Sequence, residues 1–495
     1  MEYIVSASEM RRYDSNTIEK IGIPACVLME RAALAALAAV EERCAGRLRG
    51  IHVLIMSGTG NNGGDGLALA RLLAEKGSRV EVWRVGERQK ASDQWLRQEK
   101  ILENYPVKVT DVPGRQDYHV LVDALFGVGL SREVTGIYAE AIGLFNRLEG
   151  WKLALDLPSG IDADTGRLLG TGVRADMTVA FGFRKRGLVL YPGCGFAGEV
   201  RTAHIGISGL SFFGREPEMF AYDEDTAALM PDRDEAGNKG TFGKVLLAAG
   251  SVGMAGAAVL AAKAAFRAGA GMVKVVSCAE NRAILQQAVP EALLGSPENL
   301  AEEMAWADVA AVGPGLGKGE AAERCLTEIV EEGSLPLLVD ADGLNLLAQR
   351  SKLRRLLEAQ GLKGRQIVLT PHVGELARLT GKPLMFCKEN LAAVGTELAA
   401  AYHGVVAAKD ARTFTCGDGR ICVNLSGNSG MATAGSGDVL AGVIAAFMAQ
   451  GMGTFRAASA GVCVHGRAGD YAAAQRGKHA CMAMDIAEAV GRFPG

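Results

Sequence analysis

The sequence has no CxxC pair, no apolar run of membrane-spanning length and almost no net charge. Its ten cysteines are scattered singly from Cys26 to Cys481. That spacing argues against a zinc knuckle, a redox dithiol and an extracellular disulfide scaffold, and fits a reducing cytoplasm. A formal charge of −3 and a pI near 6.2 give no net attraction to nucleic acid or to an anionic membrane. The apolar stretches AALAALAAV (32–40) and AGVIAAFMAQ (441–450) are too short to cross hydrocarbon and read as buried, alanine-rich helices. The opening MEYIVSASEMRRYDSNTIEK is polar where an export signal needs an apolar core, so no export is expected. The basic runs FRKR (183–186) and KLRRLLE (352–358) read as solvent-facing charge or as a hold on a small anion.

What is present is ordinary in bulk and unusual in pattern. A chain of 495 residues exceeds the roughly 250–300 at which one core stops growing, so two cores are expected. The first half alternates strand and helix candidates: IHVLIMSG (51–58), a loop at GNNGGDG (60–66), a helix at LALARLLAEKG (67–77) and a strand at RVEVWRV (79–85). This is a βαβ start and predicts an α/β domain with a mostly parallel sheet. HVLVDALFG (119–127) and KLALDLPSG (152–160) repeat one arrangement, an apolar strand ending in Asp and a glycine loop. Period is lost and charge, Pro and Gly gather after residue 207, so domains at 1–215 and 236–495 with a linker at 216–235 are expected. The second series opens at TFGKVLLAAGSVGMAGAAVLAAKAAFRAGAGMVKVVS (241–277), again strand, glycines, helix and strand.

Ligand groups collect at the carboxyl ends of strands in open α/β sheets. In the first half, the glycines of SGTGNNGGDG (57–66) bring backbone N–H groups near a ligand at a helix start, which suits phosphate. Asn62, Asp123 and Ser159 offer hard oxygen atoms for a monovalent cation, or Asp123 and Asp156 cap loops. Asp156 stands apart from them and can face substrate, and Arg132 in GVGLSRE (127–133) is available to phosphate. In the second half, the glycines around Ser436 in GNSGMATAGSGDVLAG (427–442) form an anion hole at a helix start, and Asp438 is poised to take a proton from a substrate hydroxyl. Gly250, Ser251, Gly253 and GPGLG (313–317) add backbone approaches. Asp340 and Asp342 hold a sugar, magnesium or solvent, with one of them structural. His372 and Glu375 orient substrate, or His372 is a satisfied structural group, and Lys409 is placed to neutralise nucleotide phosphate.

These strings carry two resemblances. GIPACVLMERAA, NNGGDG, VDALFGVG and LDLPSGIDADTG resemble the NAD(P)HX epimerase family over about residues 1–210. That resemblance implies a Rossmann-like open sheet that interconverts the R and S forms of hydrated NADH and NADPH. It implies that Asn61, Asn62, Gly63, Gly64 and Asp65 contact the hydrated cofactor, as do Gly127, Val128, Gly129, Leu130, Ser131, Arg132 and Glu133, with Asp156, which is the acid/base candidate for the exchange at C6. Potassium would be bound by Asn62, Asp123 and Ser159.

GNKGTFGKVLLAAGSVGMAGAAVLAAKAAFRAGAG, GPGLG, DADGLN, TPHVGE and GNSGMATAGSGDVLAG occur in the order found in the ADP/ATP-dependent NAD(P)HX dehydratases, a branch of the ribokinase-like α/β fold. The resemblance covers about residues 225–495. It implies an S-specific elimination driven by phosphate from ADP or ATP with magnesium, Asp438 acting as base. Ala257, Gly315 and His372 would contact substrate. Lys409, Asp410, Ala411, Arg412, Thr413 and Gly437 would hold nucleotide.

Two positions depart from the family strings: Val373 stands where TPHPGE has proline, and Asp410 where glycine is common. The competing readings are a small-molecule kinase, which would leave a stable phosphorylated product, and a catalytically silent nucleotide binder. A homo-oligomer acting on small molecules, with no nucleic-acid or membrane partner, is expected.

Overall fold

The computed structural model describes residues 1–223 and 225–493. The chain divides into two compact units, Glu2–Glu218 and Met219–Gly495, the latter taking in Met1. No helix among the described residues is long and apolar enough to cross a membrane.

In the N-terminal unit the strands are β1 (Glu2–Val5), β2 (His52–Ser57), β3 (Arg79–Arg84), β4 (Lys108–Thr110), β5 (Asp117–Ala124), β6 (Glu149–Leu155), β7 (Met177–Phe181), β8 (Arg184–Lys185) and β9 (Glu199–Ala203). Seven form one sheet in the order β4-β3-β2-β5-β6-β7-β9, all parallel. β1 and β8 pair with each other. The apolar runs need no alternation because both faces are covered. Val53 and Ile55 pack with Leu67 and Leu69 on one face, and Leu54 and Met56 with Ile142 and Phe145 on the other. The order reverses between β2 and β5, which opens a crevice beyond their carboxyl ends.

One local expectation is corrected here. NNGGDG is not a loop before the helix but its first two turns: the helix runs Asn61–Glu75, with Gly60 as its extended N-cap. Gly63, Gly64 and Gly66 are therefore helical, and what demands glycine is space. A Cβ on them would come within 1.9 Å of the Gly58 carbonyl oxygen, 2.8 Å of the Met29 methyl and 2.6 Å of the Ala124 Cβ, respectively.

The C-terminal unit holds β10 (Met219–Ala221), β11 (Lys244–Ala248), β12 (Met272–Val276), β13 (Leu293–Gly295), β14 (Val309–Val312), β15 (Leu337–Val339), β16 (Ile367–Leu369), β17 (Val405–Ala408), β18 (Phe414–Gly417) and β19 (Arg420–Val423). Their order is β13-β12-β11-β14-β15-β16-β17-β18-β19-β10, parallel up to β17 with β18 and β19 antiparallel. The segment read as linker thus supplies a strand, β10, that pairs with β19. Helix Ser436–Ala449 is buried without a break from Val439 to Ala449. It crosses helix Ala255–Arg267 so closely that a Cβ on Gly442 would lie 2.1 Å from the Ala261 carbonyl oxygen.

Candidate active sites

The β2/β5 crevice is a cavity of about 870 Å³. Its floor is built from the start of helix Asn61–Glu75, which delivers Asn61, Asn62 and Asp65, and the turn after β5, which delivers Gly127, Val128, Gly129, Leu130, Ser131 and Arg132. Asp156, one residue past β6, completes it. Of the residues expected in contact with ligand, Gly63 and Gly64 do not line this cavity, being helix-packing residues as above, and Glu133 is exposed outside it.

Asp156 takes up a left-handed backbone, φ 68°, which few non-glycine residues adopt but Asp and Asn tolerate best. That turn brings its Oδ1 to the Phe181 N–H, which donates at 3.1 Å, and to Lys185 Nζ, which donates to it as well. Lys185, read from sequence as part of a solvent-facing basic run, is fully buried and also donates to the Phe181 carbonyl at 2.7 Å. Asp14, from helix Ala7–Asn16, joins the same wall. Burial and the neighbouring Asp156 raise the Asp14 carboxyl above its ordinary range. Burial, with Asp156 and Asp14 adding to it, pushes Asp65 well above the carboxylate range. Asp14 was not singled out in the sequence, and Lys185 only within the basic run, because nothing local marks either as a site residue: one lies in the last turn of a helix, the other in a two-residue strand.

The cation candidates converge as well. Ser159 Oγ donates to Asp123 Oδ1 at 2.6 Å and accepts from the Phe126 N–H at 2.9 Å, while Asn62 Nδ2 donates to the Phe126 carbonyl at 2.9 Å. Asp123 also holds the Leu125 and Ser159 amides, so the loop-capping reading is part of the same arrangement. Asn62 Oδ1 is buried with no hydrogen-bond donor, a costly state unless something electropositive faces it. Burial raises the Asp123 carboxyl to about 6.

In the C-terminal unit four strand ends meet. Asp340, beyond β15, is almost wholly buried and accepts at Oδ1 from Thr370 Oγ1 at 2.7 Å and from Lys409 Nζ at 2.8 Å. Burial alone would lower Lys409, but the carboxylates of Asp340 and Glu375 outweigh it and hold the ammonium above its ordinary range. Lys409 follows β17 and points at the start of helix Ser436–Ala449, since a Cβ on Gly437 would lie 3.3 Å from its Nζ. Gly435 enters that helix with φ 90° and no side chain caps it; of its first amides the Ser436 N–H donates to the Thr433 carbonyl at 3.3 Å. Asp438 lies in this turn and accepts no hydrogen bond from another described residue. Burial, then Asp340 and Asp342, raise its carboxyl to about 6 against the pull of Lys409. Beneath it Ser436 Oγ sits 3.3 Å from Nε2 of the buried His465, whose imidazole burial lowers to about 4. His465 went unnoticed in the sequence, lying mid-helix among small residues.

Gly315 and Ala257 adjoin, a Cβ on Gly315 falling 2.8 Å from the Ala257 Cβ. Asp342 is the structural member of its pair, accepting at 2.9 Å from the Gly317 N–H of the GPGLG loop. Asp410 and Ala411 are exposed, while Arg412 and Thr413 are tied to the segment after β19 through the Leu425 carbonyl and the Asn424 amide.

Residues 245–492 match the family described as NAD(P)H-hydrate dehydratase, and residues 25–187 match the YjeF-related protein N-terminus. The bifunctional NAD(P)H-hydrate repair enzyme Nnr of Moorella thermoacetica is 36% identical over 98% of this chain and 95% of its own length. The chain belongs to the bifunctional NAD(P)H-hydrate repair enzymes. The Escherichia coli repair enzyme is 32% identical over 98% of this chain and 93% of its own, and the NAD(P)H-hydrate epimerase of Limosilactobacillus reuteri is 44% identical over 41% of this chain and 94% of its own. A solved ADP/ATP-dependent NAD(P)H-hydrate dehydratase from Bacillus subtilis is 27% identical over 54% of this chain and 94% of that one, with a TM-score of 0.48. The repair enzyme pairs an N-terminal α/β domain that matches the YjeF-related N-terminus with a C-terminal α/β domain that matches the NAD(P)H-hydrate dehydratase family.

In this repair enzyme Val373 occupies the first position of helix Val373–Thr380. Proline is favoured there because its fixed φ suits a helix start and its missing N–H costs nothing. The helix starts without it, through a reciprocal cap: His372 Nδ1 accepts from the Gly374 N–H at 3.0 Å, and Glu375 accepts from the His372 N–H at 2.9 Å. Val373→Pro is therefore expected to raise stability by about 0.4–1 kcal/mol with dehydration unchanged, as thermal unfolding and a turnover assay on the S hydrate would show.

Proposed function

We propose that the two halves divide the repair of hydrated NADH and NADPH at the joint near residues 216–235. Residues 1–215 interconvert the R and S hydrates. Residues 236–495 dehydrate the S form using ADP or ATP, yielding AMP or ADP and phosphate. The observation that carries the reading is Asp438, a carboxylate raised by burial to about 6, set in the first turn of a helix that starts beside Lys409 Nζ.

Asp438 takes the proton of the C6 hydroxyl, which attacks the terminal phosphorus of the nucleotide. The uncapped amides at Gly437 and Asp438, with Lys409, hold the oxygens of the phosphoryl group in transit. Phosphate then leaves C6 with the bonding electrons, and loss of a C5 proton restores the C5–C6 double bond and the nicotinamide conjugation. Ala257, Gly315 and His372 shape the substrate side, and Lys409 to Thr413 with Gly437 the nucleotide side. Magnesium entering with the nucleotide would shield phosphate charge and would relieve the repulsion that Asp340 exerts on Asp438.

In the N-terminal half the crevice holds the hydrate through Asn61, Asn62, Asp65 and the 127–132 turn, and Asp156 moves the proton. Asn62 Oδ1, Asp123 and Ser159 fit potassium, whose charge supplies the partner that the buried Asn62 oxygen lacks. Asp123 alone favours the protonated folded state, a contribution present at low pH and lost as pH rises through about 6. Potassium opposes that loss by binding the ionised form. Potassium chloride is thus expected to raise the unfolding temperature over choline chloride at pH 8, to do little below pH 6, and to do nothing in Asp123→Ala.

A homo-oligomeric cytoplasmic enzyme completes the reading. The deciding experiment is a chiral chromatographic time course on mixed hydrated NADH, with ADP and ATP added separately. Both hydrates should be consumed and NADH should return. Accumulation of a phosphorylated hydrate, or binding without turnover, would replace this reading with a kinase or a silent binder.

A further inference from the structure

Among the ionisable side chains that line the N-terminal cavity, four from separate stretches of chain interact with one another: Asp14, Asp65, Asp156 and Lys185. They are three carboxyls and one close cation, and the cation is committed. Lys185 is fully buried and donates to Asp156 and to the Phe181 carbonyl. Asp65 receives no hydrogen bond or ion pair from another described residue, and its charged neighbours are the two other carboxyls as well as Lys185. Three carboxylates cannot all be ionised beside one ammonium without heavy repulsion. The occupancy of lowest energy leaves Asp156 ionised against Lys185 and Asp65 protonated. One cavity thus presents a base and an acid side by side, the division of states that acid–base chemistry needs.

Inversion at C6 needs both. The carbon carries a hydroxyl and the ring nitrogen N1, so its configuration is erased if the N1–C6 bond opens. We propose that Asp65 is the proton donor that works opposite Asp156 in epimerisation, protonating N1 as the hydrate ring opens. Asp156 takes the hydroxyl proton, and that O–H pair becomes the second bond of a C6 aldehyde. The N1–C6 pair goes to N1, which receives the Asp65 proton. Rotation about C5–C6 and closure on the other face reverse each transfer and return the proton to Asp65. No other reactant is required. The inference rests on the reading of this cavity as the epimerase site.

The test is R/S exchange by Asp65→Asn and Asp65→Glu in the full chain, followed against pH, with NADPH binding and tryptophan fluorescence measured on each variant to check the fold. Arg11, Lys90, Arg132 and Tyr138 line the same cavity, so Asp14→Asn serves as the control for a general change of field. In the unsubstituted enzyme the rate falls at high pH as Asp65 loses its proton. Asp65→Asn should lower kcat by about 10²–10⁴-fold, leave KM within about threefold and abolish that high-pH fall, and Asp65→Glu should recover most of the rate. A raised KM with kcat unchanged, which marks a mere binding contact, overturns the proposal. So does a high-pH fall that survives in Asp65→Asn or vanishes in Asp14→Asn. Failure of the unsubstituted chain to exchange R and S, in the same run, removes the epimerase reading and the proposal together.

Discussion

Asp438→Asn should lower ADP- or ATP-dependent dehydration of the S hydrate by about 10²–10⁴-fold while R/S exchange continues at the unsubstituted rate. The amide keeps the shape of the side chain and removes its basicity, and Asp438 holds no other described residue in place, so the fold should be untouched. What is lost is the acceptor for the C6 hydroxyl proton. The amide hole and Lys409 still bind nucleotide, so the nucleotide KM should move little. The same carboxylate sets a pH limit. Because burial and Asp340 raise it to about 6, the working, ionised form disappears as pH falls through that value, and kcat/KM should drop tenfold per pH unit below it. A dehydratase rate flat from pH 7 to pH 5, or an Asp438→Asn enzyme that still releases phosphate and NADH, would remove Asp438 from the chemistry.

The parts of this enzyme that were legible in its sequence are those where a glycine or a carboxylate directly follows an apolar strand. Asp123, Asp156, Asp340 and Lys409 could be found because an apolar run ends beside them, and open α/β sheets gather ligand groups there. The GSGD turn announced itself by density of small residues before a long buried helix. Other features depend on tertiary geometry. Whether the glycines of NNGGDG serve a turn or a helix packed against Gly58 and Met29 depends on what lies opposite, which no local pattern encodes. Asp14, Lys185 and His465 reach their sites from helices and a short strand whose own sequence carries no strand-end signal. Val373 illustrates the converse: a departure from the family string that sequence alone reads as lost stiffness is absorbed by the reciprocal His372–Glu375 cap.

Lys185→Met should destabilise the N-terminal unit by about 3 kcal/mol, the lower part of the range for breaking a buried ion pair. The lysine is fully buried, so its replacement leaves the Asp156 carboxylate with the Phe181 amide and whatever water enters from the cavity. That access to water is why the lower figure applies. Asp156 has a cheaper course open to it, which is to take up a proton, and an Asp156 that is neutral at pH 7 no longer serves as base. R/S exchange should therefore fall together with stability. Asp156→Asn alone strands the ammonium instead, and does so without added backbone strain, because Asn tolerates the left-handed φ of 68°. The double variant Asp156→Asn with Lys185→Met buries neither charge alone, so it should regain most of the lost stability and none of the exchange activity. Urea titration by tryptophan fluorescence suits the measurement, since Trp83, Trp95 and Trp151 belong to this unit and Trp306 alone to the other. Additive losses in the double variant would mean that the lysine and the aspartate stabilise the fold separately, and that Lys185 does not keep Asp156 charged.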